Sequence, residues 1–268
     1  PMNGFASANL DHKPDLVVWP EVALPADLAR SPALTDTTRT LARRVDAPIL
    51  VGAYGVDPDG GQAFNSAFLV GGAGAGVGPP RYDKRRLVPF VERVPFIDPA
   101  LLRGAVGELR YFGGLGQGTA APVLRTRSGG TFGVLICYES IFPDLARGYR
   151  RDGADFLVNI TNDAWYGREE WYARTTALWQ HPAHMVMRAI ENRVGVARAA
   201  NTGISMLIDP VGRTYRRTPL FRAAVRVDTV YTTDQATLFV RWGDWLTGLA
   251  VILATAALAG ATLRRRSG

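Results

Sequence analysis

Apolar residues along this chain gather into short runs separated by polar stretches, and the runs read as strands. They fall at residues 16–19, 48–54, 64–70, 131–137, 156–161, 194–200 and 204–208. Each is four to eight residues long, rich in Val, Ile, Leu and Phe, and bounded by Gly, Pro, Asn or Asp. Helical spacing appears between some of them. Residues 31–45 open on Ser31-Pro32, an N-cap residue followed by Pro at the first helical position. Residues 143–152 and 173–192 also read as helices, with His181-Pro182 predicting a break or kink in the second. The step from Ala200 through Asn201-Thr202-Gly203 into Ile204 predicts a hairpin turn, with Gly supplying an unusual backbone angle. Such alternation of βα units with hairpins predicts an α/β fold whose sheets are covered on both faces. There is no internal repeat. The Gly/Ala loop at 71–78 follows a strand but opens no helix, so it lacks the context of a phosphate cradle.

The pattern changes at the C-terminus. Residues 245–263 carry no charge across nineteen positions. At about 1.5 Å per residue such a helix is roughly 28 Å long, against a hydrocarbon core of about 30 Å. Trp242 and Trp245 flank one end and Arg264-Arg265-Arg266 the other. A buried Ala-rich core helix would give a similar pattern, but terminal position and the arginine run favour a transmembrane helix. Positive-inside bias then places the tail in the cytosol and the rest of the chain on the opposite side. Ala256 and Gly260 form a small-xxx-small pair suited to close helix packing. The expected organisation is a globular unit over 1–241 and a membrane helix with a basic tail over 242–268. The chain begins Pro1-Met2 with no signal-like segment, so a non-cytosolic domain is expected to be the C-terminal part of a longer membrane protein.

Composition adds limits. At 268 residues and 47% hydrophobic content, the chain can bury a large core and is not of disordered type. The formal charge is +7, which suits an anionic surface. The basic residues are scattered and accompany no nucleic-acid motif, so lipid is the favoured partner and nucleic acid is not expected. A single cysteine excludes an intrachain disulfide and leaves the redox compartment unread.

That cysteine ends the run Thr131-Phe132-Gly133-Val134-Leu135-Ile136-Cys137-Tyr138-Glu139-Ser140. A lone Cys after such a run is often only a small buried hydrophobe, but a strand delivering a thiol to a sharp turn can also present a nucleophile. Two other strand-end sites carry polar groups. Val17-Val18-Trp19-Pro20-Glu21 ends on a glutamate, and Tyr82-Asp83-Lys84-Arg85-Arg86-Leu87-Val88-Pro89-Phe90 sets a lysine among further basic residues. Singly, Glu21 reads as a solvated acid and Lys84 as part of a solvated charge run. Together they supply a base for the thiol and a cation for an oxyanion, the requirements of acyl transfer through a thioester.

These three motifs, in this order, resemble the nitrilase (carbon–nitrogen hydrolase) superfamily, whose triad carries over to Glu21 in WPE, Lys84 in YDKRRLVPF and Cys137 in ICYES. Within it, the chain is similar to the apolipoprotein N-acyltransferases along essentially its whole length. The distinguishing features are Lys84 to Phe90 leading to Glu92 and Val94-Pro95, then Cys137-Tyr138-Glu139 before Ile141-Phe142-Pro143. Asn159-Ile160-Thr161-Asn162-Asp163-Ala164-Trp165-Tyr166-Gly167, Gln180-His181 and Ala200 to Ile204 follow. The chain departs from the family pattern at Val91, where glycine is usual, and at Arg93, where an aromatic is common. The family's N-terminal bundle of membrane helices and a mobile loop would precede Pro1.

The resemblance implies a nitrilase-type αββα sandwich with a C-terminal transmembrane helix, on the extracytoplasmic side of the bacterial cytoplasmic membrane. It implies Glu21 as general base, Cys137 as nucleophile, and Lys84 with the Tyr138 N–H as oxyanion donors, with Glu92, Tyr138 and Glu139 in support. A phospholipid would donate the acyl chain and a diacylglyceryl-cysteine at an apolipoprotein N-terminus would accept it. No metal or organic cofactor is implied. His181 and His184 lie three residues apart, but neither they nor His12 sit in a ligand pattern. A membrane-tethered amidase or nitrilase using water, and a catalytically silent scaffold domain, are the alternatives.

Overall fold

A computed structural model describes residues 13–57, 61–71, 79–97 and 114–266, with side chains as far as residue 261. The longest apolar runs become the centres of two sheets. The first holds β1 (Val17–Val18), β2 (Leu24–Asp27), β3 (Ile49–Val56), β4 (Ala63–Val70) and β5 (Arg81–Asp83), ordered β1-β3-β4-β5 with β2 also on β3. β3 and β4 pair antiparallel along their whole length, from Ile49 opposite Val70 to Val56 opposite Ala63. β6 (Leu124–Arg125), β7 (Thr131–Ile136), β8 (Phe156–Thr161), β9 (Gly195–Ala200), β10 (Met206–Ile208) and β11 (Thr214–Tyr215) form the second, ordered β11-β10-β9-β8-β7-β6. Its centre, β7-β8-β9, is parallel and its flanks are antiparallel.

Strand alternation divides the first sheet's side chains between two layers. Ile49, Val51 and Ala53 of β3, with Phe68 and Val70 of β4, pack with Leu34, Leu41 and Ala42 of α1 (Pro32–Val45). Leu50, Ala67, Leu69 and Tyr82 instead join the second sheet in the larger core. That core is completed by Leu145, Ala146 and Tyr149 of α2 (Pro143–Arg151) and by Met185 and Ala189 of α3 (Ala177–Asn192). The layers therefore run helix, sheet, sheet, helices: the expected αββα sandwich.

Differences from the sequence reading have local causes. α3 starts at Ala177 rather than at 173, because Trp171–Ala173 close a separate 3-10 turn. It also runs on through Pro182 without breaking, so the expected break is absent. A proline at this point forfeits one backbone bond, to the Leu178 carbonyl. Ser31 precedes α1 but makes no side-chain capping bond. β10 begins at Met206, and Gly203 does not adopt a left-handed angle. What requires glycine there is space: a Cβ would lie 1.9 Å from Asp163 Oδ2.

After β11 an extended stretch crosses the domain to α4 (Leu238–Trp242), whose first turn is capped by Thr237 accepting from the Val240 N–H at 3.1 Å. Arg147 of α2 donates to the carbonyls of Phe239 and Val240, at 2.9 and 3.1 Å. α5 (Trp245–Arg266) follows, with Leu246, Val251, Ile252, Leu253 and Leu258 all exposed. Among the described residues no helix is long and apolar enough to cross a membrane. The expected C-terminal helix is present, but the structure does not support its expected membrane-spanning character.

Candidate active site

β7 delivers Cys137 to the edge of the sandwich. Its backbone turns left-handed at the cysteine, φ 49°, and opens the 3-10 turn Cys137–Ile141. This conformation costs a non-glycine residue about 1–3 kcal/mol and persists only where the surroundings impose it. The segment holding Glu21 is similarly bent, with the β-branched Val22 also at φ 49°. Gly52 of β3 makes room for it: a Cβ there would lie 2.5 Å from the Pro20 carbonyl oxygen and 2.6 Å from the Val22 nitrogen.

Lys84 follows β5 and is fully buried. Its Nζ donates to Glu92 Oε1 at 2.8 Å and to Glu21 Oε1 at 3.4 Å. Asn65 Nδ2 bridges the same two oxygens, at 2.6 Å from Glu21 and 3.0 Å from Glu92. The outer oxygens take backbone donors: Glu21 Oε2 accepts from the Asn162 N–H and Glu92 Oε2 from the Val88 N–H, both at 2.8 Å. Buried charges of this kind are tolerated only when paired and hydrogen-bonded, and both carboxylates meet that condition.

Burial alone would lower the lysine's pKa, but the Glu21 and Glu92 carboxylates, and the Cys137 thiolate once it forms, more than offset it, so Lys84 is held as an ammonium above its usual range. The thiol of Cys137 goes the other way. Burial first, then the Glu21 charge, push it up to about 12, against the lowering pull of Lys84. At neutral pH the resting cysteine is therefore a thiol and must lose its proton to a base to become nucleophilic.

Glu139, fully buried, joins the cysteine turn to the lysine segment. It accepts from the N–H groups of Arg85 at 2.6 Å, Arg86 at 3.0 Å and Ile136 at 2.8 Å, and from the Tyr82 hydroxyl at 2.7 Å. Burial raises its pKa, opposed by these donors. The Tyr138 ring packs edge-on against Phe142, centroids 5.1 Å apart. The structure thus brings Glu21, Lys84, Cys137, Glu92 and Glu139 together, with Tyr138 next to Cys137 in the chain.

A second polar group lies beneath the cysteine. His181 reaches the Cys137 carbonyl oxygen and Asp163, Arg198 pairs with Asp163, and Arg198 also bonds Asn159 Oδ1. Asn159 Nδ2 donates in turn to the Leu135 carbonyl at 2.9 Å. Among the described residues no three His, Cys, Asp or Glu side chains are grouped to hold a metal ion. His12 lies outside them.

Comparisons with known proteins place the whole chain. The carbon-nitrogen hydrolase profile matches residues 5–234. The chain belongs to the carbon-nitrogen hydrolase family. Among curated relatives, an apolipoprotein N-acyltransferase of Geobacter metallireducens is 40% identical over 256 residues, 94% of this chain and 47% of that protein. One from Chlorobaculum tepidum is 32% identical over 276 residues, 94% of this chain and 50% of that protein. This carbon-nitrogen hydrolase chain thus spans about half the length of these relatives. Among solved structures, the amidase of Nesterenkonia sp. AN1, as a mutant with the acetamide moiety of fluoroacetamide on its active-site cysteine, gives a TM-score of 0.53 at 18% identity, covering 77% of this chain and 73% of that one. The C. elegans NitFhit protein gives 0.57 at 24%, covering 78% and 51%. At these identities the likeness concerns the fold, a nitrilase-type α/β sandwich.

Several residues of this candidate site were given no role in the sequence reading. Asn65 and Arg198 sit within strands, and Tyr82, on β5 before Lys84, stood in a quoted motif only. Their signal was available: a polar side chain inside an apolar strand must find a partner when buried. Asp163 and His181 belong to quoted motifs, but their mutual contact is visible only in three dimensions.

Proposed function

We propose that this chain is the catalytic domain of an apolipoprotein N-acyltransferase. The observation that carries the reading is the buried Lys84 ammonium held between Glu21 and Glu92 beside a cysteine on a left-handed turn. The names of the relatives point to the same chemistry. Glu21 takes the thiol proton of Cys137, and Sγ attacks the carbonyl carbon of a phospholipid acyl ester. The resulting oxyanion is met by Lys84 Nζ and the Tyr138 N–H. As the C–O bond breaks, Glu21 returns the proton to the departing lysophospholipid oxygen, leaving a thioester on Cys137. The α-amine of a diacylglyceryl-cysteine then attacks and Glu21 receives its proton; as the C–S bond breaks Glu21 returns it to Cys137 Sγ, leaving the amide and the resting thiol. Glu92 fixes Lys84, and Glu139 fixes the backbone on both sides of the site.

The domain works at a membrane in this reading. α5, uncharged from 245 to 263 and exposed along 245–261, lies in the bilayer with its arginine end in the cytosol and the sandwich on the extracytoplasmic face. Trp165, Trp171, Tyr172 and Trp179, exposed on the segments after Asn162, favour a lipid-facing surface. The membrane helices of the same polypeptide would complete the whole enzyme.

The test is to incubate the full-length protein with phospholipid alone and measure its intact mass. One added acyl chain on Cys137 is expected, removed by neutral hydroxylamine and discharged by a diacylglyceryl-cysteine peptide, with none on Cys137→Ala. Rapid release of free fatty acid without peptide would mean a hydrolase. Neither adduct nor fatty acid from folded protein would mean a scaffold.

A further inference from the structure

His181 of α3 is buried, 4% exposed. Its Nε2 stands 3.1 Å from the carbonyl oxygen of Cys137, and its Nδ1 stands 2.8 Å from Asp163 Oδ1. A carbonyl oxygen can only accept, so Nε2 carries a hydrogen and donates it. The Asp163 carboxyl is raised by burial, but the His181 bond and the Arg198 charge outweigh this and keep it ionised. Arg198 Nη2 donates to its Oδ2 at 2.7 Å and Thr161 Oγ1 to its Oδ1 at 3.1 Å. Arg198 Nη2 lies 3.4 Å from Nδ1 and the His184 ring centroid 6.4 Å away, with the Asp163 carboxylate shared by the His181 and Arg198 side chains.

The carbonyl that His181 engages belongs to the peptide joining Cys137 to Tyr138. The other end of that peptide is the Tyr138 N–H. A donor on the oxygen draws electron density out of the amide and makes its N–H a stronger donor in turn. It also fixes the rotation of a peptide whose first residue is already in the left-handed region. We propose that His181 is a positioning residue that orients and polarises the 137–138 peptide, so that the Tyr138 N–H is a strong oxyanion donor beside Lys84. Asp163 and Arg198 hold the imidazole for that task. This inference rests on the acyl-transfer reading above.

A purely structural role and this one separate in an experiment with two readouts. His181→Phe and His181→Gln are made in the full-length protein and mixed with phosphatidylethanolamine vesicles, and thioester formation on Cys137 is timed by intact mass. In parallel, alkylation of Cys137 by iodoacetamide is timed at fixed pH. Alkylation needs the thiol but no oxyanion donor. His181→Phe is expected to slow thioester formation by about tenfold or more, less than outright loss of a donor, with alkylation within about twofold. His181→Gln, which keeps an N–H donor, recovers part of the rate. If the Phe variant does not fold, the Gln variant alone decides, with slower acylation and unchanged alkylation expected. Unchanged acylation, or equal losses in both reactions, overturns the inference. Absence of thioester in the unsubstituted protein would sink the acyl-transfer reading as well.

Discussion

Lys84 is closed to solvent and bonded to two carboxylates, so its ammonium is in place before any substrate arrives. A preset cation needs no reorganisation when an oxyanion develops, which is where electrostatic catalysis gains most. Lys84→Met is therefore expected to slow acylation by about a hundredfold or more, the range for loss of one such donor. Arg85 bonds Glu139 through its main chain, which Met keeps, and loses only its guanidinium contacts with Tyr82 and the Tyr149 ring, so Met there should cost far less. Equal losses at the two positions would remove the special role of Lys84. Because removing Lys84 also strips two buried carboxylates of their counter-charge, circular dichroism must accompany the kinetics. Cys137 allows a pH test. With its thiol pushed up to about 12 from 9.0, alkylation of the resting protein at pH 8 should be slower than that of a free thiol, and should climb by about tenfold per pH unit toward 12. The fold favours the neutral thiol, so this group's contribution to stability is full below about pH 9 and is lost as pH rises through about 12. A plateau in alkylation near pH 9 would mean that the thiol is not desolvated.

At the scale of elements, close backbone approach decides what the strands can carry. β3 tolerates the Glu21 segment against it only through Gly52, so Gly52→Ala forces backbone against backbone. A loss of about 2 kcal/mol or more is expected, lowering the thermal midpoint by about 4–8 °C. Gly148, with nothing within 4 Å of an added Cβ and a place inside α2, is the control. Gly148→Ala should be neutral or stabilising by up to about 1 kcal/mol. Equal effects would mean that the Glu21 segment yields easily. The same distinction explains what could be read from sequence. β3, β4, β7, β8 and β9 were legible because strands of six to eight residues bury apolar runs that leave a pattern. β2, β5, β6 and β11, two to four residues each, depend on pairing with a neighbour and leave none. Glu21, Lys84 and Cys137 could be singled out as candidates because each follows a strand in a recognisable motif. Asn65, Arg198 and the contact of His181 with Cys137 join elements far apart in the chain, and only the packed sheets reveal them.

For the whole molecule, the point of departure is the joint between sandwich and α5. Arg147 fastens α4 to α2, so the apolar helix leaves from a fixed place on the domain. Reporter fusions after Gly268 and before Trp242 in the full-length protein should report opposite sides of the membrane. If both report the cytosol, the membrane helix and the extracytoplasmic site fall together. Glu139 carries a further consequence. One carboxylate holds the backbone of Arg85 and Arg86 and that of Ile136, so the lysine and the cysteine move as one body. In the acyl-transfer reading proposed above, Phe90, Trp165, Trp171 and Tyr172, all exposed, take no part in that clamp, so selection can alter them many times while the reacting atoms stay in place.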